Sequence, residues 1–151
     1  MWHQLALDLE ALLDNSDNPI TTLANAAAYL YRSIDRINWL GFYIYDGDKL
    51  YLGPFGGKPA CTKIEMGNGV CGTSASKLEV IVVEDVEKFP GHIVCDPDSR
   101  SEIVLPIILG NGKLFGVLDI DSAELSRFGN GEKTALINIT EVIAAKLQAT
   151  N

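Results

Sequence analysis

The sequence predicts an α+β domain in which helices at both ends of the chain flank a central antiparallel sheet. Three observations predict this fold class. Apolar residues recur at helical spacing near both ends of the chain. Through its middle they stand at every second position, as in half-buried strands, and short glycine-containing turns separate these runs. Helices outside a series of hairpins are typical of α+β domains. Because no repeat, low-complexity tract or linker interrupts the 151 residues, we expect one domain over residues 1–151.

Three long helices are predicted from apolar stripes. The first and the last cover about residues 2–13 and 130–147, and each places apolar side chains three and four residues apart. The second covers about residues 20–34 and is rich in alanine. Asn18 before it is a suitable N-cap, and Pro19 is a suitable first helical residue because proline has no N–H to leave unpaired there.

The middle of the chain is predicted to form hairpins. The turn Asp46-Gly47-Asp48 separates two aromatic and β-branched runs, and Gly110-Asn111-Gly112 separates two apolar runs. The predicted strands are 38–45, 49–55, 62–64, 80–83, 101–109 and 113–120, with a short helix of small residues at 69–77 and an irregular stretch at 84–98.

Composition and charge restrict the partners and the location. The net charge is −8, which argues against nucleic acid and anionic membranes as partners. Apolar residues make up 47% and charged residues 21% of the chain, as in soluble globular proteins. No apolar run reaches the roughly 18 residues of a membrane span, and the N-terminus has no signal-peptide pattern. We therefore expect a cytoplasmic protein with no membrane partner.

The cysteines Cys61, Cys71 and Cys95 lie in or beside glycine- and proline-containing segments, not inside apolar strands. In a reducing compartment, cysteines are more often reactive, metal-bound or simply buried than bridged. Their placement alone leaves isolated structural thiols and redox or metal chemistry equally open. A zinc site with His92 as fourth ligand has suitable ligand types, but the spacing includes no C-x₂-C pair. We therefore expect no metal.

Thiol redox chemistry has three requirements. It needs a thiolate nucleophile, a second thiol that captures the resulting sulfenic acid, and an acid that protonates the departing oxygen. The chain has candidates for each in its cysteines and carboxylates. Carboxylates raise the pKa of a nearby thiol, so the thiolate has to be favoured by a bound cationic substrate, backbone amides or a protonated acid.

Asp119 and Asp121 lie two residues apart at the end of a predicted strand, so their side chains share one face. Two carboxylates on an otherwise apolar strand are unfavourable unless they bind something positive, although Asp121 could instead cap the following turn. Glu102 begins an apolar strand and, taken alone, is expected to be an exposed strand end. Trp39 and Tyr43 share a face of the first strand, as core residues or as the wall of a pocket for an apolar or thioether-like chain.

Five segments together resemble a known family. They are Gly-Lys-Pro-Ala-Cys at 57–61, Gly-Val-Cys-Gly-Thr at 69–73, Gly-His-Ile-Val-Cys-Asp at 91–96, Ser-Glu-Ile-Val-Leu-Pro at 101–106 and Gly-Val-Leu-Asp-Ile-Asp-Ser at 116–122. The set resembles the free methionine-(R)-sulfoxide reductases, which are single-domain GAF proteins, over nearly the whole chain. The resemblance implies a GAF-like catalytic domain whose central antiparallel sheet carries the N- and C-terminal helices on one face.

The resemblance also implies roles for the cysteines. Cys95 matches the catalytic cysteine, Cys61 the usual resolving cysteine, and Cys71 a third cysteine that takes part in disulfide exchange. The implied reaction is reduction of free methionine (R)-sulfoxide without a cofactor, followed by regeneration with thioredoxin or a similar dithiol. The family also implies a homodimer.

The remaining site residues follow from the same resemblance. Glu102, Asp119 and Asp121 match carboxylates around the sulfoxide and ammonium groups of the substrate, and Trp39 and Tyr43 match an aromatic wall. The sequence leaves open which carboxylate is the acid and which of the two other cysteines reacts first. The main alternative is a GAF small-molecule-binding or redox-sensing module without turnover.

Overall fold

The structure is a computed structural model that describes residues 1–148. Its elements in chain order are α1 (Trp2–Leu12), α2 (Pro19–Ser33), β1 (Trp39–Tyr45), β2 (Lys49–Gly56), β3 (Lys63–Glu65), α3 (Gly69–Lys77), β4 (Ile81–Val83), β5 (Ser101–Ile108), β6 (Leu114–Ser122) and α4 (Asn130–Gln148), with a 3₁₀ turn at Val86–Lys88. In this part of the chain, no helix has the length and apolar character needed to cross a bilayer.

The six strands form one antiparallel sheet in the order β3-β2-β1-β6-β5-β4. The first long strand and the last one, β1 and β6, are therefore neighbours at the centre of the sheet. Their register pairs Trp39 with Asp121 and Gly41 with Asp119. This pairing brings residues about 80 positions apart in sequence onto adjacent strands, and it is the reason that a site can form from distant segments.

One face of the sheet carries α1, α2 and α4. Leu9 of α1, Leu30 of α2 and Ile139 of α4 are fully buried in one core with Phe42 and Leu118 of the sheet. The predicted α+β class, with the N- and C-terminal helices on one face, is confirmed. The side chains of Phe42 and Leu118 point to the helical face, because successive side chains along a strand point to opposite faces of the sheet.

The capping prediction for the second helix is also confirmed. The Asn18 side chain accepts a hydrogen bond from the backbone N–H of Ile20 at 2.9 Å, and Pro19 is the first helical residue. The cap satisfies one of the N–H groups that have no partner within the helix. It fixes where α2 begins after the turn that follows α1.

The opposite face of the sheet carries α3. Val70 and Ala75 of this helix are buried in a second core with Val104 and Val117. Close strand contact on this face depends on Gly116, because a Cβ atom there would lie 2.1 Å from the Tyr43 carbonyl oxygen. All the polar residues discussed next lie on this face or in the loops beside it.

Candidate active site

Four buried side chains with ionisable groups surround one small cavity on the α3 side of the sheet. Strand β5 contributes Glu102, strand β6 contributes Asp119 and Asp121, and helix α3 contributes Cys71. Each of them is at most 9% exposed. The cavity has a volume of about 40 Å³, and Cys95 also lines it. The structure therefore brings together five of the eight residues predicted from the sequence.

Cys61 and Cys95 form a disulfide with a Cα–Cα distance of 5.5 Å. Cys61 lies between β2 and β3, and Cys95 lies in the loop between β4 and β5, 34 positions later. Cys71 is free and buried. The zinc set weighed from the sequence, which needs all three thiols, is therefore incompatible with this state because two of them are bonded to each other.

Glu102 is not the exposed strand end that its position alone predicts. Its side chain is buried, and that prediction is wrong because β5 is an inner strand. Val83 of β4 pairs with Glu102 on one side and Asp121 of β6 pairs with it on the other. The three-residue strand β4 is enough to cover this end of β5. The position of β4 in the sheet was not evident from the sequence.

Negative charge on the three carboxyl groups is unfavourable, because all three are buried and lie close together. Burial raises the pKa of Asp119 and of Asp121 well above the ordinary value, and the charge of Glu102 raises both further. Among the described residues, no donor faces Asp119 Oδ1. The cluster therefore favours a bound proton or a bound cation, and a protonated carboxyl group in it can donate a proton to a reacting oxygen.

Cys71 is held as a neutral thiol. Burial is the main cause of its raised pKa, and the charges of Asp119 and Glu102 add to it. Since the thiolate is the nucleophilic form, Cys71 is a poor nucleophile in this arrangement.

Trp39 and Tyr43 of β1 lie beneath the segment that carries Cys61. The Trp39 indole N–H donates to the Lys58 carbonyl oxygen at 3.0 Å, and the Tyr43 hydroxyl donates to the Cys61 carbonyl oxygen at 2.8 Å. Both side chains are 2% exposed, and the two rings are stacked. Neither ring is among the described residues lining the cavity in this state, so their contact with a substrate stays a prediction.

Comparisons with known proteins agree with this architecture. The sequence matches the family model described as GAF domain over residues 8–147. It is 44% identical over 150 residues to the free methionine-R-sulfoxide reductase of Escherichia coli strain K12, covering 99% of this chain and 90% of that protein. This match decides the family. The chain belongs to the GAF-domain family of free methionine-(R)-sulfoxide reductases.

Solved structures of this reductase family have the same fold. The reduced form of fRMsr of Staphylococcus aureus has a TM-score of 0.92 at 42% identity, covering 97% of this chain and 94% of that one. The free methionine-R-sulfoxide reductase from Neisseria meningitidis, solved in complex with its substrate, has a TM-score of 0.91 at 36% identity, covering 99% and 89%. The GAF fold implied by the sequence resemblance is confirmed.

Sequence reasoning missed a polar network that joins the two cysteine-bearing segments. Asn38 donates from Nδ2 to Asp96 Oδ2 at 3.0 Å and to Ser99 Oγ at 3.1 Å. Lys58 forms an ion pair with Asp98. Lys58 and Asp96 belong to the segments that carry the family resemblance, but no spacing in the sequence indicates that they meet.

His92 was also missed as a site residue. It lines the cavity, and its Nε2 lies 3.7 Å from Glu102 Oε1. This separation is too long for a hydrogen bond. The sequence offered His92 only as a fourth zinc ligand, three residues before Cys95 in the segment 91–96.

Proposed function

We propose that this protein reduces free L-methionine (R)-S-oxide to L-methionine, with the Cys95 thiolate as nucleophile. The observation that carries the proposal is the Cys61–Cys95 disulfide beside a buried carboxyl cluster. This is the product expected when one thiol takes an oxygen atom and a second thiol captures the sulfenic acid. The membership of the family and the substrate named for the relatives in E. coli and N. meningitidis support the same substrate.

The carboxyl cluster accounts for a free amino acid as substrate. The α-ammonium group can pair with Asp119, Asp121 or Glu102, and the pair relieves the repulsion among these buried groups. A methionine sulfoxide residue within a peptide has a neutral amide in place of the ammonium and gains no such interaction. The methyl sulfoxide end would lie toward the Cys95 sulfur, with Trp39 and Tyr43 as the aromatic wall.

The chemistry begins with reduced Cys95. Its thiolate sulfur attacks the sulfoxide sulfur while a protonated carboxyl group, or a water molecule that it orients, donates a proton to the sulfoxide oxygen. The oxygen is transferred to Cys95, which becomes a sulfenic acid, and methionine leaves as the reduced thioether. The raised pKa values of Asp119 and Asp121 favour the protonated acid that this step needs.

Resolution follows at the same sulfur. The Cys61 thiol attacks the Cys95 sulfenic acid, the disulfide forms, and the hydroxyl leaves as water. Thioredoxin or a similar dithiol then reduces the disulfide by thiol exchange. The disulfide-state cavity of about 40 Å³ is far smaller than the roughly 300 Å³ of a typical small-molecule site, so the cysteine segments have to separate before substrate binds. Cys71 takes part only after its burial is relieved.

The proposal has two further parts, a cytoplasmic location, which the sequence predicts, and a homodimer, which the family resemblance implies. A reducing cytoplasm would supply the dithiol that returns Cys95 to the thiol. Light scattering at several protein concentrations tests the dimer, and a mass equal to one chain at all of them would contradict it.

The proposed activity is tested with reduced protein, dithiothreitol and three substrates. We expect methionine from free methionine (R)-sulfoxide, and much slower turnover of the (S) epimer and of N-acetyl methionine (R)-sulfoxide. The acetylated compound is the matched control because it differs only at the ammonium group. Absence of methionine from a folded, reduced protein would contradict the enzyme proposal, and equal rates for the acetylated compound would contradict the role of the carboxyl cluster.

A further inference from the structure

One arrangement in the cavity is not explained by binding of an ammonium group. Cys71, Glu102 and Asp119 each offer a ligand atom, and these three atoms lie within 4.8 Å of one another. All three residues are buried. Carboxylates alone suffice for an ammonium group, but a thiol among them adds a ligand that divalent transition metals prefer.

We propose that Cys71, Glu102 and Asp119 form a binding site for a divalent metal ion of intermediate softness, such as Zn²⁺. Two carboxylates and one thiolate would more than offset the charge of the ion, with the Cys71 proton released to solvent on binding, and they would leave one position open. Mg²⁺ and Ca²⁺ fit less well, because both require more ligands and all of them oxygen. The site differs from the cysteine–histidine set considered from the sequence, since it uses a single thiol and is compatible with the Cys61–Cys95 disulfide.

The distances between the three ligand atoms suit Zn²⁺. Zinc bonds of about 2.0–2.3 Å place tetrahedral ligands about 3.3–3.8 Å apart. The three ligand atoms, within 4.8 Å of one another, need side-chain movements of only about 1 Å to reach that spacing. His92 Nε2 lies 3.7 Å from Glu102 Oε1 but outside the group of three ligand atoms. A water molecule can therefore complete the coordination.

A second observation points to a cation. Asp119 is 6% exposed, and its Oδ1 has no hydrogen-bond donor among the residues that the structure describes. A buried carboxylate oxygen without a donor is unfavourable, and a metal bond satisfies it directly. The cavity of about 40 Å³ has room for an ion and a water molecule.

The proposal does not depend on the proposed reductase activity. Glu102 and Asp119 are also groups that we propose to hold the substrate ammonium, so an ion bound there would exclude the amino acid. The binding test uses the disulfide form, which has no free Cys95 and no turnover. Its failure is therefore distinct from a failure of the enzyme proposal.

The experiment titrates the metal-free disulfide form with Co²⁺ and then with Zn²⁺. We expect one Co²⁺ per chain with a near-ultraviolet thiolate-to-cobalt charge-transfer band, a dissociation constant of about 10 µM or lower, and displacement of the band by Zn²⁺. Cys71 is the free cysteine in this state, so the band reports on it alone. A thiol titration of the unfolded protein verifies that the disulfide is intact.

Two variants and one control locate the ion. Cys71→Ser should abolish the band, and Asp119→Asn should weaken Zn²⁺ binding at least about tenfold. Asp119→Asn keeps the side-chain shape and removes a buried charge, so it tests the site even where Cys71→Ser folds poorly. Asp48→Asn, at an exposed turn, should leave both readouts unchanged. Absence of a charge-transfer band in the wild-type protein, or Zn²⁺ affinity that survives Asp119→Asn, would overturn the proposal.

Discussion

Glu102 and Asp121 are direct partners across the β5–β6 ladder, and both side chains are buried. Like charges placed opposite each other destabilise an antiparallel pair. Asp119 lies two residues along the same face of β6, so the repulsion extends over three carboxyl groups. The sheet accepts an arrangement that is poor for its own stability and that suits a positively charged ligand.

The first prediction is that Asp121→Asn stabilises the ligand-free protein at neutral pH by about 1 kcal/mol, because Asn places neither a like charge opposite Glu102 nor a proton that the unfolded chain would release. Urea denaturation in the presence of a chelator measures the free energy of unfolding. Asp48→Asn, which removes an exposed charge, is the control and should change little. A less stable Asp121→Asn protein would show that Asp121 accepts hydrogen bonds that outweigh the repulsion.

The pH dependence of stability is the second prediction. The pKa of Asp121 is raised in the folded protein, first by burial and then by Glu102. The folded state therefore holds a proton that the unfolded state releases above a pH of about 4. Its contribution to stability is complete below that pH and is lost as the pH rises through the raised folded pKa. Wild-type stability should fall with pH over this window, and Asp121→Asn should show a shallower slope.

Asp121 shares the cavity with other ionisable side chains, so the wild type and the variant have to be compared directly. The groups facing Asp121 from β5, β6, α3 and the Cys95 loop are Glu102, Asp119, Cys71, His92 and Asp96. Because the wild type and Asp121→Asn share all of these, only the difference between the two pH profiles reports on Asp121. Identical profiles would contradict the prediction.

Turnover by the three Cys→Ser variants gives the third prediction. Cys95→Ser should be inactive with thioredoxin and with dithiothreitol, because it lacks the nucleophile. Cys61→Ser should lose mainly the thioredoxin-supported rate, since a small dithiol can reduce the sulfenic acid directly. Cys71→Ser should be the mildest, because Cys71 is buried and protonated in the disulfide state. An active Cys95→Ser protein would refute the assignment of the nucleophile.

The ion pair between Lys58 and Asp98 joins the segments that carry Cys61 and Cys95, and the fourth prediction concerns it. Lys58→Met should slow formation of the disulfide after oxidation of Cys95 while leaving the release of the first methionine unchanged. Exposed ion pairs are weak, so we expect roughly a two- to fivefold effect. Single-turnover assays that follow methionine and free thiols separately measure both steps. Lys49→Met, which breaks an ion pair with Glu65 between β2 and β3, is the matched control.

The fifth prediction is that reduction of the disulfide lowers the free energy of unfolding. The bond joins residues 34 positions apart, and a closed loop of that length restricts the unfolded chain by about 3–4 kcal/mol. Urea denaturation with and without dithiothreitol measures the difference. In Cys61→Ser, which cannot form this bond, the reductant should have no effect. A wild-type protein that is equally stable in both redox states would contradict the prediction.

Local properties of the sequence determined the elements and the composition of each face. Asn18 and Pro19 marked the start of α2 because capping depends only on adjacent residues. Asp119 and Asp121 were expected on one face because side chains alternate along every strand. The family followed from five short segments whose residue types and order could be read directly.

Only the tertiary structure decided which distant residues meet. The family resemblance implied Cys61 as the usual resolving partner of Cys95 and left the order of Cys61 and Cys71 open. The pairing in the structure depends on how the loops beside α3 are positioned. The burial of Glu102 depends on β4 pairing with β5, and the contact of Asn38 with Asp96 depends on the loops around the central strands. Strand order is set by packing between segments far apart in the chain, so no pattern within a single segment contains it.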